Sequence, residues 1–528
     1  MNIHNKAFLI TLLFLPLLLL PIIFLLYESV YDKSGRWSFD ILLSIIMSSR
    51  QLGLLKNSVL LAGGTAIFSL LIGIPFAFFI SRTDLPFRRL FSSVYLVPFL
   101  IPPYMQAIIW TKMLAPDYLI NPGPVQLTMP TIFSIPGGIF ISTLSMLPLV
   151  ILIVSSGINT VDHTLEEVSL LKKGIVTTIG KITLPMVAPH IAFSGLLVFI
   201  FTLINFEVAD ILRIKVYPME IFINFSAYYD EKQATILSIP LMLLAMGLLT
   251  SITIFFKGKS YIVLHWTSPE KALIKLGIYR TPAMLFAAFI IILSVIIPLF
   301  VLILGAGNPG IYLQVLQLSK EVIWYSLWTS LTSSVIMVFF CFFTAYCIVR
   351  TSGSTRYFID YFTLIPLGVP SVVLVIGLIK VWNQPYIDWV YGSSLILIIG
   401  YIAGYSALII RIIAPFIEQI SQDLEYAASL SNKNWISILQ TIIIPLALPG
   451  ITTGFIIGFI VCIGNLGTSL LVVSPGKSTV PIAIYNYMHY GSEKMVFALC
   501  LVLIFFIILA LLILLFTFKK MHKKVFQC

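Results

Sequence analysis

Residues 164–185 read TLEEVSLLKKGIVTTIGKITLP, and residues 423–445 read DLEYAASLSNKNWISILQTIIIP. Glu166 and Glu425 correspond at an offset of 259, and the closing prolines, Pro185 and Pro445, at 260. Both stretches are polar islands in a chain that is 59% hydrophobic and 10% charged. Soluble globular proteins carry about 25% charged residues. A polar segment kept twice between apolar runs points to a contact outside the membrane.

The surrounding runs are long enough to cross a bilayer, which takes roughly 20 residues per helix. Twelve can be placed, near 7–28, 55–80, 90–111, 137–158, 187–209, 234–256, 282–304, 323–349, 357–380, 393–412, 446–472 and 495–517. This predicts an all-α polytopic membrane protein. The first run follows Lys6 and holds Pro16 and Pro21. It is longer than a signal-peptide core and has no small-residue cleavage site, so it reads as an uncleaved span. The net charge of +11 reads as basic loops on the cytoplasmic side rather than as a nucleic-acid surface. With the amino end inside, the inner loops hold Arg82, Arg88, Arg89, Lys172, Lys173, Lys181, Arg350 and Arg356, and the tail adds Lys519, Lys520, Lys523 and Lys524. Lys33, Arg36, Arg213 and Lys215 fall on the outer side, so the bias is incomplete. Both termini and both polar stretches come out cytoplasmic. Cys341, Cys347, Cys462, Cys500 and Cys528 lie mostly within apolar runs without metal spacing, which suits packing.

The halves repeat beyond the polar stretches. Arg82-Thr83 matches Arg350-Thr351 at an offset of 268, as Pro98 and Pro102 match Pro366 and Pro370. Asn205 and Asn465 keep the offset of 260. An outer loop near 112–136 is therefore about eight residues longer in the first half. A common offset in the same helical context argues for duplication. Six spans per half return the chain to the same side, so the repeat is parallel, with its axis along the membrane normal. The expected division is 1–256, a cytoplasmic linker at 257–281 carrying Lys257, Lys259, Lys271, Lys275 and Arg280, and 282–528.

Within the first stretch Thr164 is placed to cap a helix, with Glu167 completing a capping box. Glu166 and Glu167 also suit the positive end of the helix dipole. Asp423 takes the cap position in the second copy, and Tyr426 removes the reciprocal partner. Each short helix should break near Lys173-Gly174 or Ser431-Asn432 and lead through proline into the next span, where proline is tolerated in the first turn.

These residues carry a resemblance. Glu167, Val168, Ser169, Gly174, Leu184 and Pro185, with Glu425, Ala427, Ala428 and Pro445 in the second copy, resemble the loop motif of ABC importer permeases. The whole chain from about 55 to 517 is similar to permeases in which two six-span domains are fused. Val168, the position of Gly174 and the presence of Asn432 in place of glycine depart from the motif. The segments NFEVAD at 205–210, GNLGTSL at 464–470 and PGKSTVP at 475–481, with Ile484-Tyr485 and His489-Tyr490-Gly491, are similar to the ferric-iron group, whose relatives carry thiamine, polyamines and phosphonates. The resemblance implies a type I importer permease fold with twelve transmembrane helices as two parallel six-helix repeats, in a bacterial inner membrane. It also implies that Glu166, Glu167, Ser169, Gly174 and Pro185, and Glu425, Ala427, Ala428, Asn432 and Pro445, dock on two cytoplasmic ATPase subunits. A binding protein outside would deliver the substrate, ferric iron before the others. ATP and magnesium would sit on the ATPases, and no cofactor is expected in this chain.

The chain has no phosphate loop of its own. The GKST at 476–479 lacks the required first glycine, because Leu471 stands there, and it follows a span rather than a strand. No hydrolytic triad or zinc signature occurs. Glu207 and Asp210, three apart near the outer end of the fifth run, are candidates for a translocation mouth or for solvation of the helix end. Asn465 and Thr468 are their second-half counterparts, without an acid, so a symmetric metal cage is not expected. His190 and His489 read as structural and surface residues. Two other classes fit twelve spans: an ion-coupled secondary transporter, which needs mid-membrane coupling residues, and a non-transporting scaffold.

Overall fold

The computed structural model describes residues 3–30, 47–114, 132–255, 274–431 and 434–525. Lys33, Arg36, Asn432, Cys528, most of the central linker and most of the longer outer loop lie outside the described residues. Every regular element among those described is helical, and the one β contact is an isolated bridge between Thr83 and Ile274.

The first half of the chain contains α1 (Ile3–Val30), α2 (Ser49–Arg82), α3 (Pro103–Met113), α4 (Ile135–Thr160), α5 (His163–Thr178), α6 (Leu184–Ile204), α7 (Glu207–Ile211), α8 (Tyr217–Ser226) and α9 (Glu231–Phe255). The second contains α10 (Arg280–Ile291), α11 (Ile297–Ala306), α12 (Lys320–Arg350), α13 (Ser354–Leu364), α14 (Ser371–Trp382), α15 (Leu395–Glu418), α16 (Gln422–Leu430), α17 (Trp435–Ile438), α18 (Ile444–Ile463), α19 (Val480–Tyr490) and α20 (Glu493–Val525). Among the described residues ten helical stretches are long and apolar enough to cross a membrane, or up to twelve if each of two bent pairs is one span.

The bent pairs correct the straight spans expected at 90–111 and 357–380. The chain turns by 93° between 88–100 and α3, and by 107° between 354–368 and α14. The matched prolines are the cause. A proline pushes the residue before it out of the helical region. Ile101 before Pro102 has φ −96° and ψ 109°, and Val369 before Pro370 has φ −96° and ψ 124°.

The fifth and eleventh spans also differ from expectation. Each begins earlier, through a π-helical turn at Ile179–Thr183 or Leu439–Ile443. There the Leu184 N–H reaches the Ile179 carbonyl, and the Ile444 N–H reaches that of Leu439. Pro185 and Pro445 follow and have no N–H to give, so the wider turn is where the hydrogen-bond ladder is interrupted. Each span also ends earlier, at Ile204 and Ile463. Glu207 and Asp210 therefore lie on α7, outside the span helix.

The chain forms two compact units that cut across its two halves. One comprises Ser49–Met219 and Ser251–Leu304 and holds the first polar loop; the other comprises Met1–Ser48, Glu220–Thr250 and Gly305–Cys528 and holds the second. In the first-loop unit α2, α4 and α6 pack together around Phe76, Leu147, Val150, Val154 and Val198, with Ala287 and Ile290 of α10 in the same cluster. In the second-loop unit α12, α15 and α18 pack together, and α1 lies on α12 and α14. Lipid is as apolar as the spans, so their association depends on close packing at small residues. Gly157 of α4 faces His190 of α6, and a methyl added there would come within 2.5 Å of the ring. The second copy inverts the sizes. Phe416 of α15 meets Gly450 of α18, where an added methyl would come within 2.7 Å. These positions match at offsets of 259 and 260. His190 thus has the packing role expected of it. Leu71, Phe289, Trp324 and Phe505 leave broad apolar surface exposed on the spans, as a lipid environment requires.

Candidate functional site

Each polar loop is fastened to the membrane helices by one buried ion pair. In the first-loop unit Arg82, the last residue of α2, places its Nε 3.2 Å from Glu166 Oε2, and the two side chains are 1% and 5% exposed. The remaining face of the guanidinium donates to the carbonyls of Ile158 at 2.6 Å and Val161 at 3.0 Å. In the second-loop unit Arg350, the last residue of α12, donates to Glu425 Oε1 through Nε at 2.8 Å and Nη2 at 2.7 Å. It also donates to the Ile420 carbonyl at 2.8 Å. Val161 and Ile420 match at 259, so both arginines bind the same carbonyl of the repeat.

The chemistry of the pair follows from its surroundings. A helix end leaves carbonyls without partners, and the arginine satisfies them just beyond α4 or α15. The carboxylate sits in the first turn of α5 or α16, where the helix dipole favours negative charge. Burying either charge alone would be costly. One arginine thereby ties three elements together: the end of a span, the end of the next long span, and the start of the loop helix.

The remaining carboxylate oxygen is served differently in the two copies. Glu166 Oε1 accepts from Thr183 Oγ1 at 2.7 Å. Glu425 Oε2 accepts from the Tyr346 hydroxyl at 2.6 Å. Ser169 accepts from Thr178 at 2.8 Å, whereas the matched Ala428 is buried and has no hydroxyl to offer.

The helix caps lie two residues before their expected places. Asp162 Oδ1 accepts from the Thr164 N–H at 2.9 Å and from its hydroxyl at 2.5 Å. The Thr164 amide is thus already bound, the capping box with Glu167 does not form, and Glu167 is exposed. Ser421, not Asp423, caps α16 by accepting from the Asp423 N–H at 3.2 Å. The expected breaks are present. Gly174 has φ 75° and ψ 173° inside α5, a conformation open essentially to glycine alone. The helix α16 ends at Leu430, and α17 restarts behind an Asn434 side chain that accepts from the Ser437 N–H at 2.8 Å.

The outward surface of each loop repeats too. Leu171 is 89% exposed and Leu430 is 87% exposed, and they match at 259. Leu165 and Leu424, a second matched pair, are also exposed, as are Val168 and Tyr426. These matched exposed apolar residues make each loop a candidate interaction surface. The Lys6 ammonium of α1 lies 4.3 Å from the Trp435 ring centre, so the amino end of α1 is on the face of the second loop. On the first loop's side the described end of the linker is fastened beside Arg82, with the Ile274 N–H on the Arg82 carbonyl at 2.7 Å and the Leu276 N–H on Asp84 Oδ1 at 2.9 Å.

At the other ends of the spans Asn205 Oδ1 accepts from the Val208 N–H at 3.2 Å, and Asn465 Oδ1 from the Thr468 N–H at 2.9 Å. Both matched asparagines thus end a span and cap the turn after it. Glu207 is buried and Asp210 half-buried. Ser58 and Ser326, matched at 268, accept from the N–H groups of Tyr217 and Val480 that begin the outer helices, at 2.8 and 2.7 Å. Among the described residues no group of three histidine, cysteine or acidic side chains could hold a metal ion. Cys341, Cys347, Cys462 and Cys500 are buried free thiols.

The sequence offers Glu166 with Glu425 and Arg82 with Arg350 as separate matches. It does not show that each glutamate binds the arginine of its own half, 84 and 75 residues away. The unequal offsets, 268 for the arginines and 259 for the glutamates, are the available hint that both pairs belong to one repeat. Thr183, Tyr346 and the two exposed leucines carry no signal in composition alone.

Residues 337–523 match the family model described as the binding-protein-dependent transport system inner membrane component. The chain is 25% identical over 456 residues to the Fe(3+)-transport system permease protein FbpB 2 of Haemophilus influenzae, covering 84% of this chain and 85% of that protein. It is 33% identical over 124 residues to the molybdenum transport system permease protein ModB of the same organism, covering 23% of this chain and 54% of that protein. ModB of Escherichia coli is 28% identical over 210 residues, covering 36% of this chain and 91% of that protein. The chain is thus similar to the inner-membrane permeases of binding-protein-dependent transport, with the family model matching in its second half and similarity to a ferric-iron permease running through both.

Proposed function

We propose that the chain is the membrane-spanning part of an ABC importer. Its twelve spans form two parallel six-helix repeats, with both termini in the cytoplasm. Two ATPase subunits bind α5 and α16, and a binding protein outside delivers the substrate. ATP and magnesium reside on the ATPases. The observation that carries this reading is the doubled loop: a buried Arg–Glu pair holds each loop helix rigidly to the spans, while a matched leucine, 89% or 87% exposed, faces outward. That combination suits a surface that must receive force and pass it inward. Glu207 and Asp210 on α7 are the proposed substrate contacts of the first half, and Asn465 and Thr468, each taken in its own unit, are those of the second.

Ferric iron is the proposed substrate, because relatives that align along most of this chain are named for it. Copurification of ABC-type ATPase subunits with the full chain from its native membrane tests the assembly. Leu171→Asp with Leu430→Asp is expected to abolish the association, and retention of both ATPases by that variant would overturn the docking surface. Identification of the ligand held by the cognate binding protein tests the substrate, and a molybdate or phosphonate ligand would replace iron.

A further inference from the structure

The first loop is tied forward by hydroxyl groups, and the second is tied backward. Thr178 donates to Ser169, and Thr183 donates to Glu166. The part of α5 before Gly174 is therefore joined at one point to the end of α5 beyond the break, and at another to the π-turn that opens α6. The matched positions in the second copy are Ile438 with Ala428, and Ile443 with Glu425. Neither pair can form such a bond through its side chains. The hydroxyl that serves Glu425 comes instead from Tyr346 on α12, one turn before Arg350. Its match in the first copy is Phe78, which has no hydroxyl. Four matched positions have changed in concert. Together they move the second bond of the carboxylate from the following span to the preceding one.

A buried carboxylate requires its remaining lone pairs to be satisfied. A hydroxyl on either neighbouring helix meets that need, but the two solutions are mechanically different. In the first, a displacement of α5 pulls on the end of α2 through Arg82 and also on the start of α6 through Thr183. In the second, a displacement of α16 pulls twice on the end of α12, through Arg350 and through Tyr346, and among the described residues no side-chain hydrogen bond joins α16 to α18.

We propose that these hydroxyl groups gear the two loops to different spans: Thr183 and Thr178 pass the movement of the first loop to α6, and Tyr346 passes that of the second to α12. These are positioning residues, acting through Glu166 and Glu425. The proposal rests on the reading of the loops as ATPase docks.

Hydrogen exchange of the full chain with its bound ATPases, with and without ATP, tests this without knowledge of the substrate. ATP is expected to change exchange at 186–190 more than at the matched 446–450, and at 343–350 more than at 446–450 around the second loop. Thr183→Val should lower the ATP-dependent change at 186–190 by roughly ten-fold, the weight of one hydrogen bond to a charged group. Thr183→Ser should keep it. Combining Thr183→Val with Phe78→Tyr should raise the change at 75–82. Equal ATP effects at 186–190 and 446–450 would overturn the proposal. So would a Thr183→Ser chain as uncoupled as Thr183→Val, since only a packing role would then be at work. If the unaltered chain binds no ATPase, the docking reading fails and takes the gearing with it. If the ATPases bind and 186–190 and 446–450 respond alike, the gearing alone fails.

Discussion

The two loops agree in their charged contacts and disagree in their neutral ones. Arg82 with Glu166 and Arg350 with Glu425 repeat down to the carbonyl that each arginine binds. The hydroxyl partners, Thr183 and Tyr346, come from opposite sides of the loop. The energies explain the difference. Removing one member of a buried ion pair costs about 3–5 kcal/mol, whereas a hydroxyl's hydrogen bond to a charged group contributes about 1.5–3 kcal/mol net. The first loss is hard to offset at a neighbouring position. The second can be made good from any helix within reach. The same freedom appears in the packing, where Gly157 under His190 becomes Phe416 over Gly450. One contact is kept while the two helices exchange which of them supplies the bulk.

The largest test of the comparison is therefore the charge pair. Arg82→Ala and Arg350→Ala should each destabilise the protein by about 3–5 kcal/mol, because each leaves a buried carboxylate uncompensated. Denaturation of the detergent-purified chain measures this. Clearly unequal losses would show that the two pairs are not equivalent supports. Next in size is the outward face. Leu171→Asp or Leu430→Asp alone should weaken ATPase binding about ten-fold or more, since a fully buried leucine contributes about 1.5–3 kcal/mol. Titration of each single variant with the ATPase would show which loop binds more tightly.

Gly157→Phe should cost about 1–3 kcal/mol by overpacking. Adding His190→Gly should recover most of that loss by recreating the second copy's geometry, and a double variant no better than the single would break the size-exchange account. The smallest effect belongs to the caps. Asp162→Ala and Ser421→Ala should each cost about 1 kcal/mol, while Thr164→Ala should cost less than Asp162→Ala. A larger loss at Thr164 would return the cap to the position that the sequence pattern suggests.

Much of the site is legible in the sequence because duplication prints each element twice. The offsets alone select Arg82, Glu166, Pro98, Pro102, Asn205 and Pro185 from a chain of 528 residues. In the fold these residues supply an ion pair, a bend, a span end and a π-turn. The caps are ambiguous because Thr164, Asp162, Ser421 and Asp423 are all good capping residues, and only the backbone shows which amide is reached. The bends at Pro102 and Pro370 are hidden because hydropathy measures length and greasiness, and a helix folded by 93° is as greasy as a straight one.

By itself the sequence determined the membrane class, the helical content and the doubled loop. Hydrophobic length and repeat offsets are local, additive properties of the chain, so they can be read without coordinates. Only the tertiary structure decided that the duplicated glutamate and the duplicated arginine are one device, that the matched leucines face outward, and that the carboxylate's last bond runs forward in one copy and backward in the other. Those facts depend on which helices approach within about 3 Å. That proximity is set by packing between segments some 80 residues apart, and no local pattern encodes it.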